Sequence, residues 1–221
     1  MLSVLKNATY RRLFSAQVVA LLGTGMLTVA LGLLAFDLAG KDAGAVMGTA
    51  LTVKMAAYVG FAPVVNALVA RLPKKPVLIG ADLLRAGMAL CLPFITETWQ
   101  IYVLIFVLQS ASATFTPAFQ SLIPRVLKDE RDYTRALSLS RLAYDMEALV
   151  SPALAALLLT VLSYNNLFLG TVVGFLFSAL MVSLTRLPRA EQNTGVEASL
   201  WHRTTLGVRI FWRNRRLRSL L

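Results

Sequence analysis

Asn66-Ala-Leu-Val-Ala-Arg71-Leu-Pro73-Lys74-Lys75-Pro76-Val-Leu-Ile-Gly-Ala-Asp82-Leu-Leu-Arg85-Ala-Gly87-Met88 joins two long apolar runs through a short basic hinge. A soluble fold has no use for so tight a cationic turn between two such segments. A membrane protein does, because cationic turns stay on the cytoplasmic side while the flanking segments cross the bilayer. Inside the second run stand Asp82 and Arg85, three residues apart and able to share a helix face.

Composition agrees. Of 221 residues, 57% are hydrophobic and 15% charged, with mean hydropathy +0.67. Soluble domains carry roughly 25% charged residues, so the chain falls in the membrane class. Its net charge of +11 raises nucleic-acid binding as a function. That footprint would cluster on a polar domain, whereas these cations occupy the gaps between apolar runs, and no nucleic-acid partner is expected. A lone cysteine, Cys91, forms no intrachain disulfide, and with the lone histidine, His202, it makes no Cys/His metal cluster. Cys91 lies within an apolar run, where it is expected to pack as a small residue.

A bilayer-crossing helix needs about 20 residues, and six apolar runs approach or exceed that length: residues 13–36, 44–70, 77–95, 99–119, 142–162 and 167–184. Lipid offers backbone groups no partner, so each run is expected to be helical. The first is too long for a signal-peptide core. Its Gly23, Gly25 and Gly32 permit close helix approach. Trp99 and Tyr102 open the fourth run as interfacial anchors. Residues 120–141 read as a charge-mixed, partly helical connection. The expected architecture is an all-α membrane protein: a six-helix domain, residues 1–184, followed by a cytoplasmic tail, residues 185–221.

Charge placement orients it. All lysines and arginines except Lys41, Lys54 and Arg85 fall in the N-terminal segment, the hinge, the connection after the fourth run, or the tail. Both termini are therefore expected in the cytoplasm, with Lys41 and Glu97 outside. In the tail, Leu200, Trp201, Val208, Phe211 and Trp212 share one helical face, with Arg209, Arg213 and Arg216 roughly opposite. That pattern predicts an interfacial amphipathic helix against lipid headgroups.

The hinge resembles the loop between helices 2 and 3 of the major facilitator superfamily, whose pattern reads G-x-x-x-D-R-x-G-R-K. Arg71, Lys74 and Lys75 match it, and Asn66, Ala70 and Pro73 replace its other defined positions. Further phrases resemble the bacterial exporter branch that includes macrolide, siderophore and nickel efflux proteins. They are Tyr10-Arg11-Arg12-Leu13-Phe14, Ala81-Asp82-Leu83-Leu84-Arg85-Ala86, Phe115-Thr-Pro117-Ala-Phe-Gln-Ser-Leu-Ile-Pro124, and Arg135-Ala-Leu-Ser-Leu-Ser-Arg141 with Ser151-Pro152-Ala-Leu-Ala155-Ala156. The antiporter-like patterns match in part: Gln109 is in place, while Phe106 and Ser110 stand where an arginine and a glycine would. The resemblance implies the N-terminal six-helix half of an exporter in a bacterial inner membrane, working by alternating access with a solute path near the midplane. It also implies a partner for that path, either a C-terminal half beyond Leu221 or a second copy. A six-helix binding or scaffold module, or a truncated non-transporting product, is the alternative.

Ionisable and polar groups within spans are costly there and face a cavity when they serve transport. Lys54 and Gln109 each lie about ten residues into a run, roughly 15 Å deep at 1.5 Å per residue, and are the candidates for a solute path. Lys54 reads equally as a lysine paired with a carboxylate or snorkelling outward, and Gln109 reads first as an interhelical hydrogen-bonding residue and only second as a solute contact. Arg71, Lys74, Lys75, Asp82 and Arg85 form the candidate cytoplasmic gate, with Asp145 and Glu147 placed either to extend it or to sit solvated at the interface; Asp82 and Arg85 read alternatively as a permanent ion pair. No nucleophile–base constellation, phosphate loop or metal cluster stands out, so neither an enzyme nor a cofactor is expected. The expected partners are the bilayer and a small organic or ionic solute, nickel or a hydrophobic drug.

Overall fold

Short polar side chains and special backbone positions set the helix limits in the computed structural model, which describes residues 2–61, 63, 65, 67 and 72–185. Asn7 Oδ1 accepts the amides of Thr9 and Tyr10 at 3.0 and 3.1 Å and opens α1, Ala8–Ala39. Gly40, at φ +53°, then turns the chain through a 3-10 segment, Gly40–Asp42, into α2, Ala43–Ala56. A side chain would strain that backbone. α2 continues as a π turn, Ala57–Phe61. Next is α3, Lys74–Cys91, with Pro76 in the first turn, where a missing amide leaves no bond unmade. α4, Thr98–Gln120, opens on a reciprocal cap between Glu97 and Gln100. After a single turn, Ile123–Val126, Asp129 Oδ1 accepts the amides of Arg131 and Asp132 and opens α5, Glu130–Leu159. α6 is Tyr164–Leu184.

Among the described residues, five helical stretches are long and apolar enough to cross a membrane: Ala8–Phe61, Lys74–Phe94, Thr98–Val126, Glu130–Leu159 and Tyr164–Leu184. The first holds both α1 and α2. Thr28 and Leu31 meet Ala50, Leu51 and Lys54 around one small cavity, so this stretch is a helical hairpin. Asn66, Ala70, Arg71 and residues 186–221, including the expected amphipathic tail helix, lie outside the described residues.

α1 packs on α2, α5 and α6, while α6 packs on α3, and α4 on α2 and α3. Two apolar cores fill the ends of the bundle. One gathers Leu27, Leu34, Ile101, Leu108 and Phe168; the other gathers Tyr10, Leu13, Leu78, Phe119 and Val182. Between them the buried apolar cluster shrinks to Ala20, Ala86 and Phe175. Gln17, Asp82, Arg85, Gln109, Ser140 and Ser178 are buried instead. Outward, Phe94, Leu149 and Val161 are 78%, 71% and 81% exposed. Apolar exposure on this scale suits a surface solvated by lipid.

Glycine decides how closely α1 approaches its neighbours. A Cβ on Gly174 would sit 3.4 Å from the Val19 carbonyl oxygen, and Thr171 Oγ1 donates to the Gly23 carbonyl at 2.9 Å. A Cβ on Gly25 would overlap Ser151 of α5 outright.

Two expectations need correcting. α5 begins at Glu130, well before the apolar run at Leu142, and ends at Leu159. Its first turns are amphipathic: they bury Ala136, Leu139 and Ser140 and expose Arg131, Arg135 and Arg141, so a search for unbroken apolarity starts too late. Cys91 is exposed rather than packed, because the end of α3 turns that face away from the bundle.

Candidate functional site

The polar middle layer opens into a cavity of about 190 Å³. α2 contributes Lys54 and, from its π turn, Tyr58; α4 contributes Gln109, Ser112 and Thr116; α5 contributes Tyr144 and Glu147. π turns recur where helices serve a function rather than pure packing, and this one begins at Ala57, within one helical turn of Lys54. Tyr144 Oη and Thr116 Oγ1 lie 3.0 Å apart and share a hydrogen bond, linking α5 to α4. Gln17 of α1 completes one wall and is fixed by Ser140 Oγ, which donates to its side-chain oxygen at 3.1 Å.

Behind this cavity lies a dense charge cluster. Arg85 forms an ion pair with Asp82 one turn earlier on α3. Ser178 Oγ of α6 donates to the other Asp82 oxygen at 2.7 Å. The Arg85 guanidinium carbon is 4.4 Å from the Phe115 ring centre and 4.6 Å from that of Phe175, a double cation–π contact. Asp82 and Arg85 are 0% and 4% exposed, and Arg85 Nε, buried without a hydrogen-bond partner, belongs to a side chain that lines the cavity.

Lys54 and Gln109, expected on two spans at the same depth as candidates for a solute path, line one cavity. Glu147, expected at the gate, joins them there instead, because the early start of α5 places it mid-helix. Asp145 pairs with Arg141 at 3.4 Å on the exposed side of α5. Asp82 is paired with Arg85 and Ser178, and the partners of Lys75 are different again. Its Nζ donates to the Ser183 and Thr185 carbonyls at 2.5 and 2.9 Å, while Arg12 donates to the Leu184 carbonyl at 3.2 Å. Cations there meet the unpaired carbonyls and the negative dipole end of α6. Lys74 sits beside Lys75 at the start of α3, and Arg71 lies outside the described residues.

Tyr58, Tyr144, Gln17 and Thr116 escaped the sequence reading. Their one signal was polarity inside an apolar run, which many interhelical hydrogen-bonding residues share. Among the described residues, no three His, Cys, Asp or Glu side chains gather to hold a metal ion.

Comparison with known proteins adds to this geometry. A family model described as Major Facilitator Superfamily matches residues 13–221. The chain is 26% identical to macrolide efflux protein A of Streptococcus pyogenes over 79% of its own length and 46% of that protein. It is 26% identical to the protein of the same name from Enterococcus faecalis, over 79% of this chain and 57% of that one. A third relative is the uncharacterised MFS-type transporter YkuC of Bacillus subtilis, 23% identical over 100% of this chain and 53% of the relative. The chain spans about half the length of the curated relatives it matches.

Proposed function

This chain belongs to the major facilitator superfamily, and from that premise we propose that it forms the N-terminal half of an exporter of hydrophobic organic solutes in the bacterial plasma membrane. Six crossings fit the helices if the α1–α2 hairpin counts as two. Residues 1–184 are then the transmembrane domain, with residues 185–221 a basic cytoplasmic segment and both termini inside. A second six-helix half, from a longer chain or another copy, completes the path against α2 and α5.

The observation that carries the reading is the cavity shared by Lys54, Gln109 and Glu147 in the middle of otherwise apolar helices. Ionisable groups there are costly unless they serve a pathway. For nickel the same cavity offers one carboxylate, too few ligands for a transition metal, so an organic solute is favoured. Macrolides, named in two of the relatives, are the first solutes to test. The hinge of Arg71, Lys74 and Lys75 is the cytoplasmic gating element, and Lys75 couples it to the end of α6. Asp82 and Arg85 hold α3 to α6, so that the hinge moves with both helices.

The test is accumulation of labelled macrolide, and separately of nickel, in a bacterial host lacking related exporters, with and without the complete two-half transporter. Lowered macrolide accumulation that de-energising the cells abolishes is expected. Equal accumulation in both strains would overturn the reading, and lowered nickel alone would overturn the choice of solute.

A further inference from the structure

Glu147 borders two spaces. It lines the polar cavity, and it is also the one charged residue of a separate groove of about 280 Å³ between α1 and α5. Phe14, Leu21, Leu142, Met146 and Val150 are among the apolar walls of that groove. A carboxylate at the seam of an apolar groove is expensive to keep ionised unless a cation meets it. The described residues supply no ion pair to Glu147: the paired carboxylates are Asp82, Asp132 and Asp145. Lys54 shares the polar cavity and a smaller one of about 40 Å³ beside α2, but it does not line the groove. A body lying in the groove therefore meets the carboxylate and not the lysine.

We propose that Glu147 is the recognition group for amphiphilic amines. The apolar body lies in the α1–α5 groove, the ammonium pairs with the Glu147 carboxylate, and polar substituents reach past it toward Tyr144, Tyr58 and Gln109. The proposal deepens the exporter reading by naming its solute class, and rests on it for what the site is used for. Attraction between ammonium and carboxylate is far stronger at such a seam than in water. A neutral solute of the same shape fills the groove equally well but leaves the carboxylate without a partner, and that penalty is what discriminates. Lys54, which lines the polar cavity with Glu147, competes for the same carboxylate and weakens amine binding.

The experiment uses the 221-residue chain in phosphatidylcholine nanodiscs, with monodansylcadaverine as the amine and its N-acetyl derivative as the neutral control. Fluorescence titrations are corrected by empty discs. The amine is expected to bind about tenfold tighter than the control or better, the scale of one charge-assisted hydrogen bond. Glu147→Gln should remove that preference and bring the two probes to equal affinity, and Glu147→Asp should restore part of it. Leu142→Trp, which fills the groove, should weaken both probes. Lys54→Met should tighten the amine alone. Equal binding of the two probes to the unsubstituted protein would overturn the proposal, as would a preference that survives in folded Glu147→Gln. Should Glu147→Gln fail to fold, the sign of the Lys54→Met effect decides: amine binding that weakens or stays unchanged overturns it. Energised vesicles holding the complete two-half transporter separate this from the transport reading. Amine preference without amine movement would overturn the exporter reading and leave the binding site standing.

Discussion

The α3–α6 seam and the α5 side of the bundle treat charge in opposite ways. At the seam, Asp82 and Arg85 are almost wholly withdrawn from solvent, with Ser178 and two phenylalanine rings around them. On the α5 side, Glu147 and Lys54 face open space and, among the described residues, make no ion pair. Packing follows the same division: α6 buries eight of its 21 residues and α5 five of its 30. Charges closed off in pairs serve cohesion, whereas charges left facing a cavity are available to something that enters it. One bundle thus holds a rigid wall and a working wall.

The largest expected effect breaks the rigid wall. Asp82→Asn leaves the Arg85 guanidinium uncompensated between two rings, and removing one partner of a buried pair costs about 3–5 kcal/mol. Thermal unfolding in mild detergent should show the loss. The double change Asp82→Asn with Arg85→Met should recover much of it, because a neutral, space-filling side chain leaves no charge stranded. A stable Asp82→Asn protein that has lost transport would instead make this pair part of the gate.

A smaller effect concerns a close approach of α1 to the working wall. Gly25→Ala drives a methyl group into Ser151 Cβ, which cannot rotate away, and overpacking of this kind costs about 1–3 kcal/mol. Gly32→Ala, on the same helix with nothing within 4 Å, should be neutral or gain about 0.5–1 kcal/mol of helix stability. Equal melting temperatures for the two variants would show that α5 floats against α1 and is not seated there.

That pair of glycines also marks how far the sequence could be read. Gly23, Gly25 and Gly32 look alike in a run of letters, and only the helix packed opposite tells them apart. The membrane class was legible because cations in the gaps between apolar runs have a global cause, the bilayer. The Asp82–Arg85 pairing was legible because i,i+3 spacing is local. Its enclosure by Phe115, Phe175 and Ser178 was not, since those residues come from α4 and α6. Glu147 was placed at the gate because its helix was started at Leu142, where apolarity begins. The Asp129 cap, which sets the true start, precedes it among ordinary surface charges. Sharing of one cavity by Lys54, Gln109 and Glu147 depends on the register of three helices, which no single run contains.

At the foot of α6, Lys75→Met removes the ammonium that holds the Ser183 and Thr185 carbonyls. A cation at a helix C-terminus contributes about 0.3–1 kcal/mol, so a modest fall in melting temperature is expected, with Arg12 still in place. A change in solute efflux out of proportion to that fall would tie the hinge to gating.

The smallest expected effect tests whether charge on α5 matters merely for being on α5. Arg141 and Asp145 precede Glu147 on the same helix, 3.4 Å apart, with side chains 79% and 58% exposed. Exposed pairs of this spacing contribute about 0.3–0.5 kcal/mol and are screened by salt. Arg141→Ala should therefore leave the melting temperature within experimental error and shift it still less at high ionic strength. It should also leave the discrimination between amine and neutral probe intact, since neither residue borders the groove or the cavity. If Arg141→Ala instead leaves the fold stable and abolishes efflux in cells, the exposed face of α5 carries a second role. The geometry that turns Arg141 and Asp145 away from this bundle would then be the geometry that offers them to the proposed second half.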